Sequence, residues 1–292
     1  MQSGEIPIAP QVVTTIPALR NTIRAARSAG KRIGVVPTMG ALHRGHVSLI
    51  EAARKESDFT VVTIFVNPTQ FGPNEDFRKY PRPIERDLEM CAGAGADLVF
   101  TPEPEEVYPN PFFTKVHLKG ISEVLEGASR PGHFDGVATI VLKLFNMVQP
   151  DAAFFGQKDF QQQLLIRRMV KELDLPLEIR VCPTVREPDG LALSSRNVYL
   201  SPEERVSSLA LNRALRHAET RLRGGEMKLG KIRREMEEML SGTANVKPDY
   251  ATIVDPETIA ELERPQKLQV AVVAARVGNT RLIDNLPIEL PH

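Results

Sequence analysis

Val36-Pro37-Thr38-Met39-Gly40-Ala41-Leu42-His43-Arg44-Gly45-His46 joins a β-type run to a helical one. Before it, Arg32-Ile33-Gly34-Val35-Val36 is short and rich in β-branched side chains, and it ends at Pro37. After it, residues 47–55 carry Leu49, Ile50 and Ala53 at helical spacing. A strand that runs straight into a helix start opens a β-α-β unit. His43 and His46 stand three positions apart, so both rings can project from one face of the first helical turn. That turn has unpaired backbone N–H groups and a partial positive charge, which suit phosphate. Gly40 and Gly45 let the backbone come close to a ligand. Two imidazoles placed there can donate hydrogen bonds to a triphosphate and stabilise charge as it develops at the α-phosphate. A bare H-x-x-H is also compatible with incidental histidines or with zinc, although zinc helices usually space their histidines i, i+4 and add further ligands. No G-x-G-x-x-G follows the strand, which counts against a dinucleotide enzyme.

The alternation continues outward. Residues 60–66 are β-branched and almost continuously apolar, as a strand buried on both faces of a parallel sheet must be. Helical spacing over 84–94 gives way to a strand at 97–100, a helix over 135–148 and a strand at 152–155. A helix over 160–173 and a strand at 177–181 complete the series. This order predicts an α/β domain, a parallel sheet with helices on both faces. After Asn197 the pattern changes. Ser201-Pro202-Glu203-Glu204 is a helix start, with Ser as cap, Pro at the first helical position and acids at the positive end. Polar helices over 202–223 and 229–240 flank Gly224-Gly225, and strand-like runs follow at 250–254 and 268–275. Gly278-Asn279 turns the chain into 280–283, an antiparallel hairpin signal. The expected division is therefore 1–185 and 186–292.

Three further segments place polar residues at strand ends. Phe65-Val66-Asn67-Pro68-Thr69-Gln70-Phe71-Gly72 lies at the carboxyl end of a buried strand, where open α/β sheets bind ligands. Asn67 and Gln70 offer neutral hydrogen-bonding groups suited to a substrate with hydroxyls, although N-P-x-Q alone is a polar turn. Phe155-Gly156-Gln157-Lys158-Asp159-Phe160-Gln161-Gln162 enters a helix from a strand. There Lys158 can hold a triphosphate, Asp159 a ribose or a neighbouring side chain, and Gln162 an acid substrate; Asp159 also suits a helix cap. Arg186-Glu187-Pro188-Asp189-Gly190-Leu191-Ala192-Leu193-Ser194-Ser195-Arg196-Asn197 brings two hydroxyls and an arginine into one loop, a phosphate clamp.

Composition narrows the partners. The chain has 292 residues, 42% hydrophobic and 25% charged, as in ordinary soluble proteins. Lys plus Arg and Asp plus Glu are both 37, so the basic surplus that a nucleic-acid-binding protein needs is missing, and small ligands are expected. Cys91 and Cys182 have no metal-ligand spacing and read as small buried apolar residues. No disulfide framework is implied, which suits a reducing compartment. Residues 1–10 lack a charged stretch followed by an apolar one, and the most apolar run, 139–148, is broken by Lys143 and Asn146. The expectation is a cytoplasmic protein without a membrane span.

Taken together, the four segments resemble pantothenate synthetases. His43 to His46 is similar to the "HIGH" signature of adenylate-forming nucleotidyltransferases, and Ser194-Ser195-Arg196-Asn197 to their "KMSKS" loop. Tyr80-Pro81-Arg82, Glu85-Arg86-Asp87 and Glu126-Gly127-Ala128-Ser129-Arg130-Pro131-Gly132-His133-Phe134-Asp135-Gly136-Val137 carry the resemblance further. It covers 37–197, with a weaker likeness through Thr280-Arg281-Leu282-Ile283-Asp284-Asn285. It implies a Rossmann-like domain at 1–185 for ATP and pantoate, a smaller C-terminal α+β lid at 186–292, and a homodimer. It implies ATP contacts from Pro37, Thr38, Met39, His43, Gly45, His46, Gly156, Lys158, Asp159, Val185, Ser194, Ser195 and Arg196. His43, His46, Lys158, Ser194, Ser195 and Arg196 are its catalytic groups. Pantoate contacts fall on Met39, Asn67, Gln70, Arg130, His133 and Gln162. Mg²⁺ accompanies ATP, with Asp87 as its carboxylate; Arg86 stands where some members carry another acid. The reaction implied is activation of pantoate by ATP, then transfer of the acyl group to β-alanine.

Overall fold

The structure, a computed structural model, describes residues 9–73 and 77–291. The chain forms two compact units, Met1–Gly156 with Leu165–Cys182 and Gln157–Leu164 with Pro183–His292. In chain order the elements up to Cys182 are β1 (Gln11–Val13), α1 (Ile16–Ser28), β2 (Ile33–Thr38), α2 (Arg44–Glu56), β3 (Phe59–Ile64), α3 (Ile84–Gly93), β4 (Leu98–Phe100), α4 (Pro104–Val107), α5 (Glu126–Ser129), α6 (His133–Val148), β5 (Ala152–Gly156), α7 (Phe160–Glu172) and β6 (Glu178–Cys182).

The first unit is built on a parallel sheet of order β1-β4-β3-β2-β5-β6. α1 and α6 pack on each other and on β2, while α2 packs on β2, β3, β5 and α3. Covered strands need apolar side chains on both faces, and Ile33 to Val36 and Thr60 to Thr63 are all buried. Val36, Leu49, Ile50, Val62, Val99 and Phe154 form one core cluster. Strand order reverses between β2 and β5, the position at which open α/β sheets bind ligands. Here β2 and β5 pair only at Gly34↔Ala152 and Val35↔Ala153, although both strands run on beyond. Pro37 has no N–H to offer a ladder on the β5 side, so the sheet opens where β2 ends.

The strand and helix series read from the sequence is present, with shifted ends. β2 continues through Pro37 to Thr38, and α6 starts at His133 instead of Asp135. β1 and α1 were not expected. β1 is three residues long, and α1 is stabilised by burying Leu19, Ile23 and Ala26, a stripe whose value depends on the sheet beneath it. Cys91 is buried as expected, but Cys182 is only half-buried. Among the described residues no helix is long and apolar enough to cross a membrane.

The second unit adds α8 (Pro202–Ser207), α9 (Leu209–Arg223), α10 (Leu229–Ser241), β7 (Val246–Val254), β8 (Leu268–Val277) and β9 (Thr280–Glu289). The Ser201 capping box is formed: Ser201 Oγ accepts from Glu204 N–H at 3.2 Å, and Glu204 Oε2 accepts from Ser201 N–H at 2.9 Å. The single helix expected over 202–223 is two. Ser208 interrupts it, its hydroxyl donating back to Arg205 O at 2.7 Å, a local bond that competes with helix continuation. β7, β8 and β9 form an antiparallel sheet, and the Gly278-Asn279 turn joins two ten-residue strands. Pro287 interrupts the apolar signal of β9 but is tolerated because β9 is an edge strand. Leu211, Leu215, Ile232, Met236, Val273 and Ile288 form the core.

Candidate active site

The loop after β2 is shaped by short-range bonds. Thr38 Oγ1 donates to Thr63 O at 2.7 Å and accepts from Gly40 N–H at 3.2 Å. Gly40 and Ala41 then take φ of +80° and +51°. At Gly40 a Cβ would lie 2.9 Å from Asp87 Oδ2, so glycine is needed for space as well as conformation. This pair turns the chain so that His43 becomes the N-cap of α2 and His46 lies in its first turn. His43 Nδ1 accepts from Gly45 N–H at 3.1 Å, and His46 Nδ1 accepts from His43 N–H at 3.3 Å. A ring nitrogen that accepts a backbone N–H is unprotonated, so in both neutral rings the proton sits on Nε2. The ring centroids are 4.2 Å apart. Two N–H donors are thus paired at a helix N-terminus, at the carboxyl edge of the sheet.

Met39, Asn67, Gln70, Arg130 and His133 come together in the same unit. Gln70 Nε2 lies 3.0 Å from Met39 Sδ, and Asn67 Nδ2 donates to Gln70 Oε1 at 3.0 Å. Arg130 Nη1 lies 2.9 Å from His133 Nε2, and His133 Nδ1 lies 2.8 Å from Gln70 O. Guanidinium can only donate and a carbonyl can only accept, so this histidine carries its proton on Nδ1. Arg130 and His133 therefore brace the main chain of Gln70. The brace needs Gly136, where a Cβ would lie 2.3 Å from Thr69 O.

Asp87, on α3, is 1% exposed. Its Oδ1 accepts from Leu42 N–H at 2.7 Å and its Oδ2 from Ala41 N–H at 2.8 Å. Burial pushes its carboxyl above the ordinary value, against the two amide bonds that pull it down. Among the described residues no group of three or more His, Cys, Asp or Glu side chains could hold a metal ion. A buried carboxylate is held here with one loop amide on each oxygen. It fits a brace for the turn that presents His43 and His46.

The second unit carries Lys158, Asp159, Gln162, Val185, Ser194, Ser195 and Arg196. The pattern reading put Lys158, Asp159 and Gln162 in the first domain. They group instead with β9, because Asn285 Nδ2 donates to Gln157 O at 2.9 Å and Lys158 O at 2.8 Å, and Gln157 Nε2 donates to Asn285 Oδ1 at 2.9 Å. Lys158 Nζ lies 3.8 Å from Asp159 Oδ1. Arg186 grips Asp284 with both Nη1 and Nη2, at 2.6 and 2.9 Å. Leu193 N–H donates to Val185 O at 3.0 Å, closing the short loop that precedes Ser194. Ser194 Oγ accepts from Arg196 N–H at 3.3 Å, so this hydroxyl also caps the turn over Ser195–Tyr199.

Two residues of these clusters were not singled out from the sequence. Tyr108 follows α4 in a stretch without periodicity, and its hydroxyl donates to Asn67 Oδ1 at 2.7 Å. Asn285 lies within the C-terminal likeness but had no role.

A family model described as Pantoate-beta-alanine ligase matches residues 11–287. The pantothenate synthetase of Moorella thermoacetica is 54% identical over 96% of this chain and 99% of its own length. That of Acetivibrio thermocellus is 50% identical over 96% of this chain and 100% of its own length. The crystal structure of pantothenate synthetase from Thermus thermophilus is similar with a TM-score of 0.90 at 48% identity, covering 94% of this chain and 98% of that one. The crystal structure of pantoate-beta-alanine ligase from Francisella tularensis, complexed with beta-gamma ATP and beta-alanine, has a TM-score of 0.78 at 35% identity, covering 95% and 97%.

Proposed function

Because the chain belongs to the pantoate-beta-alanine ligase family, we propose that it joins pantoate to β-alanine through a pantoyl-adenylate, with ATP converted to AMP and pyrophosphate. The observation that carries this reading is the imidazole pair: both Nδ1 atoms are held by backbone N–H groups, which turns both rings into Nε2–H donors.

In the first step a pantoate carboxylate oxygen attacks the α-phosphorus of ATP and the bond to pyrophosphate breaks. A carboxylate is already a sufficient nucleophile, so no proton relay is required. The protein's contribution is alignment and stabilisation of developing charge. His43 and His46 donate to the phosphate oxygens. Lys158, Ser194, Ser195 and Arg196 hold the triphosphate, and Pro37, Thr38, Met39, Gly45, Gly156, Asp159 and Val185 line the nucleotide. Gln70 and Gln162 meet the oxygens of pantoate, and Met39 meets its methyl groups; Asn67, Arg130 and His133 hold Gln70 in place. In the second step the β-alanine amine attacks the acyl carbon, AMP leaves, and the amine proton is released as the amide forms. Mg²⁺ has hard oxygen ligands in the ATP phosphates themselves, and Asp87 acts as the brace of the histidine turn. The division near residue 185, with 186–292 as a lid that keeps water from the adenylate, belongs to this proposal. So do a homodimeric state and a cytoplasmic location.

The test is ATP turnover with a panel of acids and amines. AMP is expected to accumulate only when pantoate and β-alanine are both present. A product that retains the nucleotide would make the protein a nucleotidyltransferase, and no turnover would make it a binding module. His43→Ala and His46→Ala are each expected to cut pyrophosphate release by ~10²–10³. Near-normal release in both would sink the histidine assignment.

A further inference from the structure

The side-chain cluster around Gln70 contains a row of amides whose polarity is set at one end. Asn67 is 1% exposed and Gln70 8%. An amide side chain is ambiguous about which end is oxygen, but two backbone groups leave Asn67 no choice. Gly136 O, which can only accept, lies 3.1 Å from Asn67 Nδ2. Thr69 N–H, which can only donate, reaches Asn67 Oδ1 at 3.4 Å. The hydroxyls of Tyr108 and Thr69 meet the same Oδ1 at 2.7 and 3.0 Å. Asn67 Nδ2 then has its second hydrogen for Gln70 Oε1. Gln70 is left to show its Nε2 end, beside Met39 Sδ.

The Tyr108 bond is the shortest of those around Asn67 and Gln70, and burial pushes the phenol above its ordinary value, so it stays protonated and donating. The Tyr108 ring is placed independently of its hydroxyl. Its centroid is 5.0 Å from that of Phe112 and 6.2 Å from that of Phe65, and Lys143 Nζ lies 5.6 Å from it. The hydroxyl can therefore be removed with the ring left in place.

We propose that Tyr108 is a positioning residue for the acyl substrate: the backbone orients the Asn67 amide, and the short Tyr108 bond fixes where that amide stands, so that Gln70 is held with Oε1 engaged and its Nε2–H meets a substrate oxygen as a hydrogen-bond donor. The inference rests on the pantoate reading of this pocket and adds a residue and a polarity to it. A glutamine free to flip would accept or donate with equal ease. One held from behind selects substrates that bring an acceptor, a hydroxyl lone pair or a carboxylate oxygen.

The test is a double-mutant cycle with Tyr108→Phe and Gln70→Ala, read as kcat and KM for pantoate and for ATP on the full chain. Tyr108→Phe is expected to raise the pantoate KM by ~5–30-fold, the loss of about one hydrogen bond, with the ATP KM within about twofold. In the Gln70→Ala background the same substitution should add little, because its effect runs through Gln70. A purely structural role would lower the melting temperature and act additively in the cycle. An unchanged pantoate KM in Tyr108→Phe, or additive effects, would overturn the inference while leaving the pantoate reading intact. A wild-type protein that makes no AMP from pantoate and β-alanine would overturn both.

Discussion

Replacing Asp87 by asparagine keeps the shape of the side chain and removes its charge. The carboxylate accepts from Leu42 and Ala41 at 2.7 and 2.8 Å. Asparagine has one oxygen, so one of the two amides must face an NH₂ group, donor against donor. A hydrogen bond to a charged group contributes ~1.5–3 kcal/mol, and an orphaned buried donor costs ~1–3 kcal/mol. The charge removed is itself disfavoured by burial, which raises Asp87 above its ordinary value and offsets part of the loss. The net expectation is a destabilisation of ~1–3 kcal/mol and a fall in Tm of ~2–10 °C. The catalytic effect should be larger than this stability change suggests. Ala41 holds a positive φ without glycine's freedom, and the Asp87 bonds keep it there. Relaxation of this turn moves both histidines, and a misplacement of ~1 Å can cost ~10²-fold in rate. Pyrophosphate release measured across a Mg²⁺ titration, beside thermal melts, checks this. We expect kcat lower by ~10–10²-fold with the Mg²⁺ midpoint unchanged. A raised Mg²⁺ requirement with an unchanged Tm would refute the brace and make Asp87 a metal ligand.

Asn285→Ala removes the three bonds that hold Gln157 and Lys158 to β9; it should raise the ATP KM by ~10-fold or more with less effect on pantoate, and the reverse pattern would detach this turn from the triphosphate. Burial, with Asp87 nearby, lifts the Cys91 thiol from its ordinary 9.0 to about 12. The folded state therefore resists ionisation: its stability contribution is complete below pH 9 and declines as pH rises towards 12. Denaturant unfolding should show this decline in the wild type and less of it in Cys91→Ala, and equal slopes would refute the assignment.

The parallel sheet and its helices were legible because a strand covered on both faces needs a β-branched, nearly continuous apolar run, which residues 33–36 and 60–66 supply. The helix start at Ser201 and the Gly278-Asn279 turn were legible because caps and turns are chosen by residues a few positions apart. The break at Ser208 was not, because a serine inside a helical pattern acquires its back-bonded geometry only in context.

For the candidate site, the sequence alone determined which residue types stand at the strand ends: the two histidines, the Asn67 and Gln70 pair, Lys158, and the Ser194, Ser195 and Arg196 run. Tertiary structure decided what holds each of them and in which protonation or orientation. Asp87 reaches the histidine turn from 45 positions away, Tyr108 reaches Asn67 from 41, and Asn285 reaches Gln157 from 128. Local periodicity reports only on neighbours three or four positions off along a helix, or two along a strand. A hydrogen-bond partner delivered by another strand's loop leaves no local trace, so the residue types at the strand ends were readable and the long-range bonds that hold them were not.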